Sequence, residues 1–263
     1  GAGAAPLVDP FVRGGETVLG ESEAGVPPFS LPPALQAMEM LPPADIIEPL
    51  VPSAPHNDEP PSGHPLKCEG GHVMDASAYR DCSALEGYLS VSGTNLTTLD
   101  DFSNIKTIKG SMDNAGIGLI IVDNPFLRNI DGLSNLEGSL PGSLIIENNK
   151  RLRSLDGLEG LDSIHHKSRL GQSISIRSCP HLVHVDGLSG LQGNLKGSLA
   201  ICGNKRLRNL NGLKGIERLG KDSVGLSLQC ENNNKLTHLK GLDAVMSMAG
   251  AIVISGCASL LSL

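Results

Sequence analysis

The sequence predicts an all-β fold: a right-handed parallel β-helix, or leucine-rich-repeat-like solenoid, of about seven coils with an extended Pro-rich N-terminal arm. Three observations support this fold class. One phrase recurs through the second half of the chain, proline is concentrated in the first quarter, and so is the acidic charge. A repeat of 24 to 30 residues is typical of a solenoid, because each unit can bury its apolar face only against its neighbours.

The first element is the arm, residues 1–67. Fourteen of the 17 prolines occur at or before Pro65, and the segment carries nine acidic and two basic residues. Proline fixes φ and removes a backbone donor, which favours extended chain. The rest of the chain has 19 acidic and 19 basic residues, so the net charge of −7 belongs to the arm. The neutral body has no general attraction for nucleic acid.

The arm also carries two apolar clusters between its proline pairs. Composition alone is typical of a disordered linker. The alternative is a docking arm whose apolar side chains bind grooves on other protein chains. The candidate docking residues are Leu35, Met38, Leu41, Ile46, Ile47 and Leu50.

The repeat body follows, in residues 68–263. Each copy of the phrase begins with apolar–x–apolar, the alternation of a strand whose two apolar side chains point inward. Short and long copies of the phrase alternate. The extra residues of the long copies form loops at 106–118, 162–173 and 217–227, and we expect these loops to form a ridge on one side of the solenoid. The copies start at Leu119, Leu144, Ile174, Leu199, Leu228 and Ile252, with a degenerate first copy around Leu89.

A column of asparagine and cysteine lies five residues after each start. We interpret it as structural, since an inward Asn amide can satisfy backbone groups where each coil bends. The Asp-Gly and Asn-Gly pairs that follow are typical of turns. The column consists of Asn124, Asn149, Cys179, Asn204, Asn233 and Cys257.

The N-terminal end of the solenoid needs a cap, which we place at 68–86. Cys68 and Cys82 bracket a short candidate helix over 73–81, and a disulfide between them would staple that cap. No cysteine pair has the spacing of a zinc site.

The stretch from Cys82 to Val91 resembles the opening of the receptor L domain, a module of insulin-receptor-type and epidermal-growth-factor-receptor-type ectodomains and of fungal cell-surface proteins. In that family a cysteine pair closes the end of the β-helix, and a Cys-x-x-apolar-x-Gly-x-Leu phrase opens the first strand. Here Cys82, Leu85, Gly87 and Leu89 occupy those places. The resemblance extends over about 68–263. It implies the fold and an oxidising, non-cytosolic compartment: an organelle lumen, such as a plastid lumen, or the cell exterior, with an upstream targeting segment removed.

Candidate chemistry is sparse. The sequence has no nucleophile triad, phosphate loop or metal motif, so we predict no enzyme activity, no cofactor and no metal site. No apolar run is long enough to span a membrane. Asn95 begins a glycosylation sequon, Asn-Leu-Thr.

The clearest surface signal is basic. Two Lys-Arg-Leu-Arg phrases occupy equivalent columns two coils apart, and Arg128 precedes the first by one coil. The stripe either only solubilises the solenoid or binds an acidic partner: a protein tail, a sulfated glycan, a lipid head group or the chain's own arm. Its residues are Arg128, Lys150, Arg151, Arg153, Lys205, Arg206 and Arg208.

These features favour a non-catalytic, protein-binding scaffold subunit. Its arm would dock onto neighbouring chains of a larger assembly, and the solenoid would act as a rigid spacer. The alternative is a secreted or cell-surface ectodomain for ligand recognition or adhesion. A third hypothesis, an enzyme using the loop ridge, would require a deep polar pocket near 162–173.

Overall fold

The computed structural model describes residues 67–113 and 115–261. Apart from Lys67, the predicted arm and its six docking residues lie outside this range. The strands are β1 Lys67–Cys68, β2 Gly71–His72, β3 Ala84–Leu85, β4 Leu89–Ser92, β5 Thr107–Ile108, β6 Ile117–Val122, β7 Gly138–Leu140, β8 Ser143–Glu147, β9 Leu161–Ile164, β10 Gln172–Arg177, β11 Gly193–Leu195, β12 Ser198–Cys202, β13 Ile216–Leu219, β14 Leu226–Glu231, β15 Ser247–Met248 and β16 Ala251–Ser255. The 3₁₀-helices are Ala76–Tyr79, Asp100–Phe102, Asp131–Leu133, Asp186–Leu188 and Asn211–Leu213.

The even-numbered strands form one long parallel sheet, in the order β2-β4-β6-β8-β10-β12-β14-β16. Successive strands are joined by one turn of the coil, so the eight strands span seven turns and the predicted β-solenoid is confirmed. The register aligns the starts of all the sequence copies. That inward column is Leu89, Leu119, Leu144, Ile174, Leu199, Leu228 and Ile252.

Each coil has two further sides. The odd-numbered strands form shorter parallel sheets, β1-β3-β5, β7-β9 and β11-β13-β15. On the remaining side, Asp131–Leu133, Asp186–Leu188 and Asn211–Leu213 are 3₁₀-helices, whereas the equivalent phrase at 156–158 forms a turn. The helix Asp186–Leu188 contacts Asn211–Leu213 of the next coil. The three sides enclose one continuous apolar core.

The core is built from the periodic leucines and isoleucines. In the coil that starts with β8, Leu144, Ile146, Leu152, Leu155 and Leu158 are all fully buried. Burying one such side chain contributes about 1.5–3 kcal/mol to folding. The repeat therefore supplies its own stability, coil by coil.

Buried asparagines form a ladder at the bend after the long sheet, as the sequence predicts. The Asn204 side chain accepts a bond from the Cys179 backbone N–H (3.0 Å) and donates to the Ile176 carbonyl (2.9 Å). Asn149 does the same with the Asn124 N–H (3.1 Å) and the Ile121 carbonyl (2.7 Å). Each of these two ladder asparagines thus satisfies two backbone groups of the preceding coil.

The long loops of alternate coils contact one another directly. The Arg169 backbone N–H donates to the Ala115 carbonyl (2.8 Å), and the Ser223 N–H donates to the Leu170 carbonyl (2.9 Å). Strand spacing predicts loops about 10 Å apart, but the loops lean over the short coils between them. The chain passes beneath at Gly197, where an added Cβ would lie 2.1 Å from the Gly171 carbonyl oxygen.

The N-terminal cap is bridged by the Cys68–Cys82 disulfide. The predicted helix over 73–81 is wrong in length and type, because the structure has only the 3₁₀-helix Ala76–Tyr79 there. A segment this short cannot offset the nucleation cost of an α-helix. Instead, β1 and β2 add short strands to the first coil. Within 67–113 and 115–261, no helix is long and apolar enough to cross a membrane.

Candidate functional site

The basic stripe lies at the turn that follows each ladder residue. In the phrase Asn-Lys-Arg-Leu-Arg, the leucine is buried and the three cations around it are exposed, as Leu152 and Leu207 show. The buried leucine anchors the turn, so the cations must point outward. We call this surface the basic edge: Arg128, Lys150, Arg151, Arg153, Lys205, Arg206 and Arg208, all exposed.

A backbone ladder stacks the turns of the basic edge. The Arg153 N–H donates to the Arg128 carbonyl (3.2 Å), the Val183 N–H to the Arg153 carbonyl (2.9 Å), and the Arg208 N–H to the Val183 carbonyl (3.0 Å). The structure therefore brings Arg128, Arg153 and Arg208 into one column, with Val183 between the last two. The backbone bonds therefore fix the spacing of the turns that carry the cations.

No acidic residue interrupts the basic edge over five consecutive coils. The segment from the ladder residue to the second inward apolar residue after it lacks Asp and Glu in each coil, at 124–130, 149–155, 179–185, 204–210 and 233–239. Among the described residues, none of the seven cations forms an ion pair within 4 Å. The charge of the basic edge is therefore uncompensated locally.

Apolar surface is interspersed with the cations. The Arg151 guanidinium lies 5.3 Å from the ring centre of Phe126, and the Phe126 side chain is 41% exposed. Val183, Arg206, Arg208 and Lys235 line a shallow depression. Lys235 was missed in the sequence reasoning, although it occupies the column of Arg151 and Arg206, two residues after the ladder.

A row of aspartates lies seven residues after the ladder, on the 3₁₀ side. Burial, and then the charges of Asp156, Glu159 and Asp100, raise the pKa of Asp131. His184 Nδ1 lies 3.5 Å from Asp186 and 4.0 Å from Asp156. The molecule thus carries a basic edge with an acidic row beside it.

A polar network crosses the outer face of the long sheet. Arg177 Nε lies 3.7 Å from Glu147, and its Nη2 donates to Gln229 Oε1 (2.6 Å), two coils away. Ser175 donates to Glu147 (2.5 Å), and Gln229 Nε2 donates to Glu231 (3.0 Å). The sequence reasoning missed this network. The one sign of this network in the sequence is the charged residue that ends each of the strands β8, β10 and β14.

An open cleft of about 540 Å³ lies beside the cap, near the first long loops. Its lining includes Tyr88, His165 and His166, so part of the 162–173 loop faces it. Lys109 donates to Glu86 (2.9 Å), which also lies 3.7 Å from Lys67. Burial, and then the charge of Asp113, raise the pKa of Tyr88.

The glycosylation sequon lies one coil before the basic edge. Asn95 is exposed, and the Thr97 carbonyl accepts the Arg128 N–H at 2.9 Å. A glycan on Asn95 would therefore stand at one end of the basic edge.

Comparison with known proteins gives one match. Residues 66–159 match the family model of the receptor L domain. No curated protein and no solved structure matches the chain. The matched segment contains the cap and the first coils, and the same inward register continues from it to β16.

Proposed function

We propose that this chain is a non-catalytic binding protein whose basic edge takes an acidic segment of a partner protein. Residues 66–159 match the family model of the receptor L domain, a binding module rather than a catalytic one, and this match supports the proposal. The observation that carries this proposal is the acid-free surface of five coils with seven exposed cations. Parallel strands are about 4.8 Å apart, so successive turns offer charge along one line. An extended acidic segment running along the coils fits that line.

The apolar surface on the basic edge favours a protein over a sulfated glycan. Phe126 and Val183 offer contacts that apolar side chains can use. Arginine also suits carboxylates, because its planar guanidinium donates two parallel hydrogen bonds. Aromatic residues total six in the chain, which argues against a stacking surface for nucleic acid.

Charge reversal on the basic edge tests this proposal. The double variant Arg153→Glu and Arg208→Glu should weaken binding of a fluorescent polyglutamate peptide by about tenfold, because each removed contact contributes about 0.2–1 kcal/mol. Salt should weaken binding to the unaltered protein for the same reason. Fluorescence anisotropy measures both effects.

A matched control reverses two exposed cations away from the basic edge. Lys214→Glu with Arg218→Glu changes the net charge equally and should leave peptide affinity within about twofold. Equal losses in the two double variants would show only an effect of net charge. Binding of heparin but not of the peptide would replace the protein partner with a glycan.

The arm supplies a second proposed contact. Its apolar clusters dock onto neighbouring chains of an assembly, and the solenoid holds the partners at a fixed distance. Serine at Leu35, Met38 and Leu41 of the full chain should then reduce co-purification of partner chains without lowering the melting temperature. Unchanged co-purification would reject arm docking.

Secretion or display at the cell surface is supported by separate observations. The receptor L domain and the Cys68–Cys82 disulfide are consistent with a location outside the cytosol. If the chain is secreted, its expression in a eukaryotic secretory host should place a glycan on the exposed Asn95. A protein that reaches an organelle lumen without the secretory pathway would not carry that glycan. Peptide mass spectrometry, with Asn95→Gln as control, measures it.

A further inference from the structure

Two inward columns of the solenoid contain cysteine in place of their usual residue, and one cysteine of each column lies close to the other. In every strand of the long sheet from β4 to β16, the inward residue three positions before the ladder is valine or isoleucine, except in β14. The residues in register are Val91, Ile121, Ile146, Ile176, Ile201, Cys230 and Ile254. The β-branched residues fit a packed strand, so a cysteine there needs another reason.

The next coil places Cys257 in the ladder column, where most coils have asparagine. The sulfur atoms of Cys230 and Cys257 lie 4.0 Å apart, and Cys257 Sγ is 3.6 Å from the Cys230 carbonyl oxygen. The other ladder cysteine, Cys179, is a natural comparison. It follows the coil of Ile146, and its thiol contacts the Arg177 carbonyl (3.4 Å).

A side chain at position 257 faces the backbone carbonyl of Cys230 in the preceding coil. A ladder asparagine here would donate to the carbonyl of Cys230, as Asn233 donates to that of Ile201 (2.8 Å). Cys257 lacks that amide, and its thiol, a weaker donor, contacts the Cys230 carbonyl at 3.6 Å instead.

We propose that Cys230 and Cys257 form a second disulfide, which clamps β16 and its turn to the preceding coil. This inference is independent of the proposed function. The sulfurs must close from 4.0 Å to the roughly 2 Å of a disulfide bond, which a rotation of the half-buried Cys257 side chain can supply. The chain already holds the Cys68–Cys82 disulfide, so it matures under conditions that oxidise thiols.

The oxidant is a low-molecular-weight disulfide such as oxidised glutathione. The Cys257 thiolate attacks one of its sulfurs, which forms a mixed disulfide and releases one glutathione thiol. Cys230 then loses its proton and attacks the Cys257 sulfur, which releases the second glutathione. Two protein thiols are oxidised and one glutathione disulfide is reduced to two thiols. Burial, and then the charge of Cys257, raise the pKa of Cys230 to about 12, so Cys230 is the poorer nucleophile of the pair for the first attack.

Peptide mapping of the full chain tests the bond. The protein is equilibrated in a glutathione redox buffer that keeps Cys68–Cys82 closed, quenched in acid, unfolded, alkylated and digested with trypsin without reduction. Cys230 and Cys257 fall in separate tryptic peptides, 222–235 and 241–263. We expect these peptides to be linked and lighter than their sum by two hydrogen atoms, with Cys179 and Cys202 alkylated. Alkylation of both Cys230 and Cys257, or a link from Cys230 to Cys202, would overturn the proposal.

Hydrogen exchange provides a second readout that does not depend on peptide recovery. Reduction should speed exchange of the β16 amides about tenfold or more, because the clamp restricts local opening. The matched variant Cys179→Ser should behave like the unaltered protein, and Cys257→Ser should exchange fast with or without reductant. A response to reductant that persists in Cys257→Ser would show that this pair is not its source.

Discussion

At the scale of single residues, the ladder shows how one side chain joins two coils. Each buried asparagine gives its oxygen to a backbone N–H and its amide to a carbonyl of the preceding coil. A thiol in the same place can do only part of this, because sulfur is a weak acceptor and has one weak donor. The two ladder cysteines therefore mark coils that depend on other contacts.

Asn204→Ala should destabilise the protein by about 2–4 kcal/mol, because it leaves the Cys179 N–H and the Ile176 carbonyl without the amide partner. Urea unfolding followed by circular dichroism measures the loss. Asn194→Ala is the matched control, since Asn194 is exposed on β11, and it should change stability by less than about 0.5 kcal/mol. Similar losses at the two sites would contradict the ladder's role.

Asp131→Asn should stabilise the protein at neutral pH by a few tenths of a kcal/mol, a small gain because solvent screens this exposed carboxylate. The pKa of Asp131 is raised, so its charge opposes folding above that pKa. The penalty shrinks as pH falls through the raised pKa and is absent below the ordinary aspartate value of about 3.9.

Unfolding at a series of pH values checks the Asp131 prediction. The equivalent turn of another coil starts with Asn211 and is also a 3₁₀-helix, so the substitution keeps the local structure. A stability difference that grows as pH falls would contradict the assignment.

Residue roles could be predicted where the repeat defines them. The ladder and the register of Leu89 through Ile252 follow from local spacing in the sequence. The bond from Arg177 to Gln229 joins residues 52 positions apart on the outer face of the long sheet, where no period constrains the side chains. Such a pair becomes visible only once the coils are stacked.

At the scale of elements, the long loops form a second layer over the short coils. The sequence predicts where these loops lie but not that they bond to one another. That contact depends on how far each loop leans, which hydrophobic spacing does not encode. The cap was likewise located but assigned the wrong helix, since two strands and a disulfide order it.

Gly197→Ala should destabilise the protein by about 2 kcal/mol or more, because its Cβ would lie 2.1 Å from the Gly171 carbonyl oxygen and 2.8 Å from the Ser173 nitrogen. Thermal unfolding measures the loss. Gly193→Ala is the contrast: its φ is +76° and no atom lies within 4 Å of the added carbon. It should cost only backbone strain, about 1 kcal/mol. A larger loss of stability in Gly193→Ala than in Gly197→Ala would show that the loops move aside for the added carbon at Gly197.

At the scale of the whole molecule, the fold separates stability from recognition. The apolar columns and the ladder use the inward residues, so the outer turns are free to carry charge. The basic edge could be predicted as a set of columns, because stacking preserves sequence spacing. The acidic partner that we propose for it rests on the charge of the outer turns, which the repeat does not constrain.

The alternation of long and short coils has a consequence for how such a chain can grow. Leu119, Ile174 and Leu228 are separated by 55 and 54 residues, so the translational period is a pair of coils rather than one. Duplicating a pair would continue the bridging loops and add another Lys-Arg-Leu-Arg turn in phase. Duplicating a single coil would set two like coils side by side and interrupt the bridge. The repeating unit of the solenoid is therefore a pair of coils, and we expect natural length variants to differ by whole pairs.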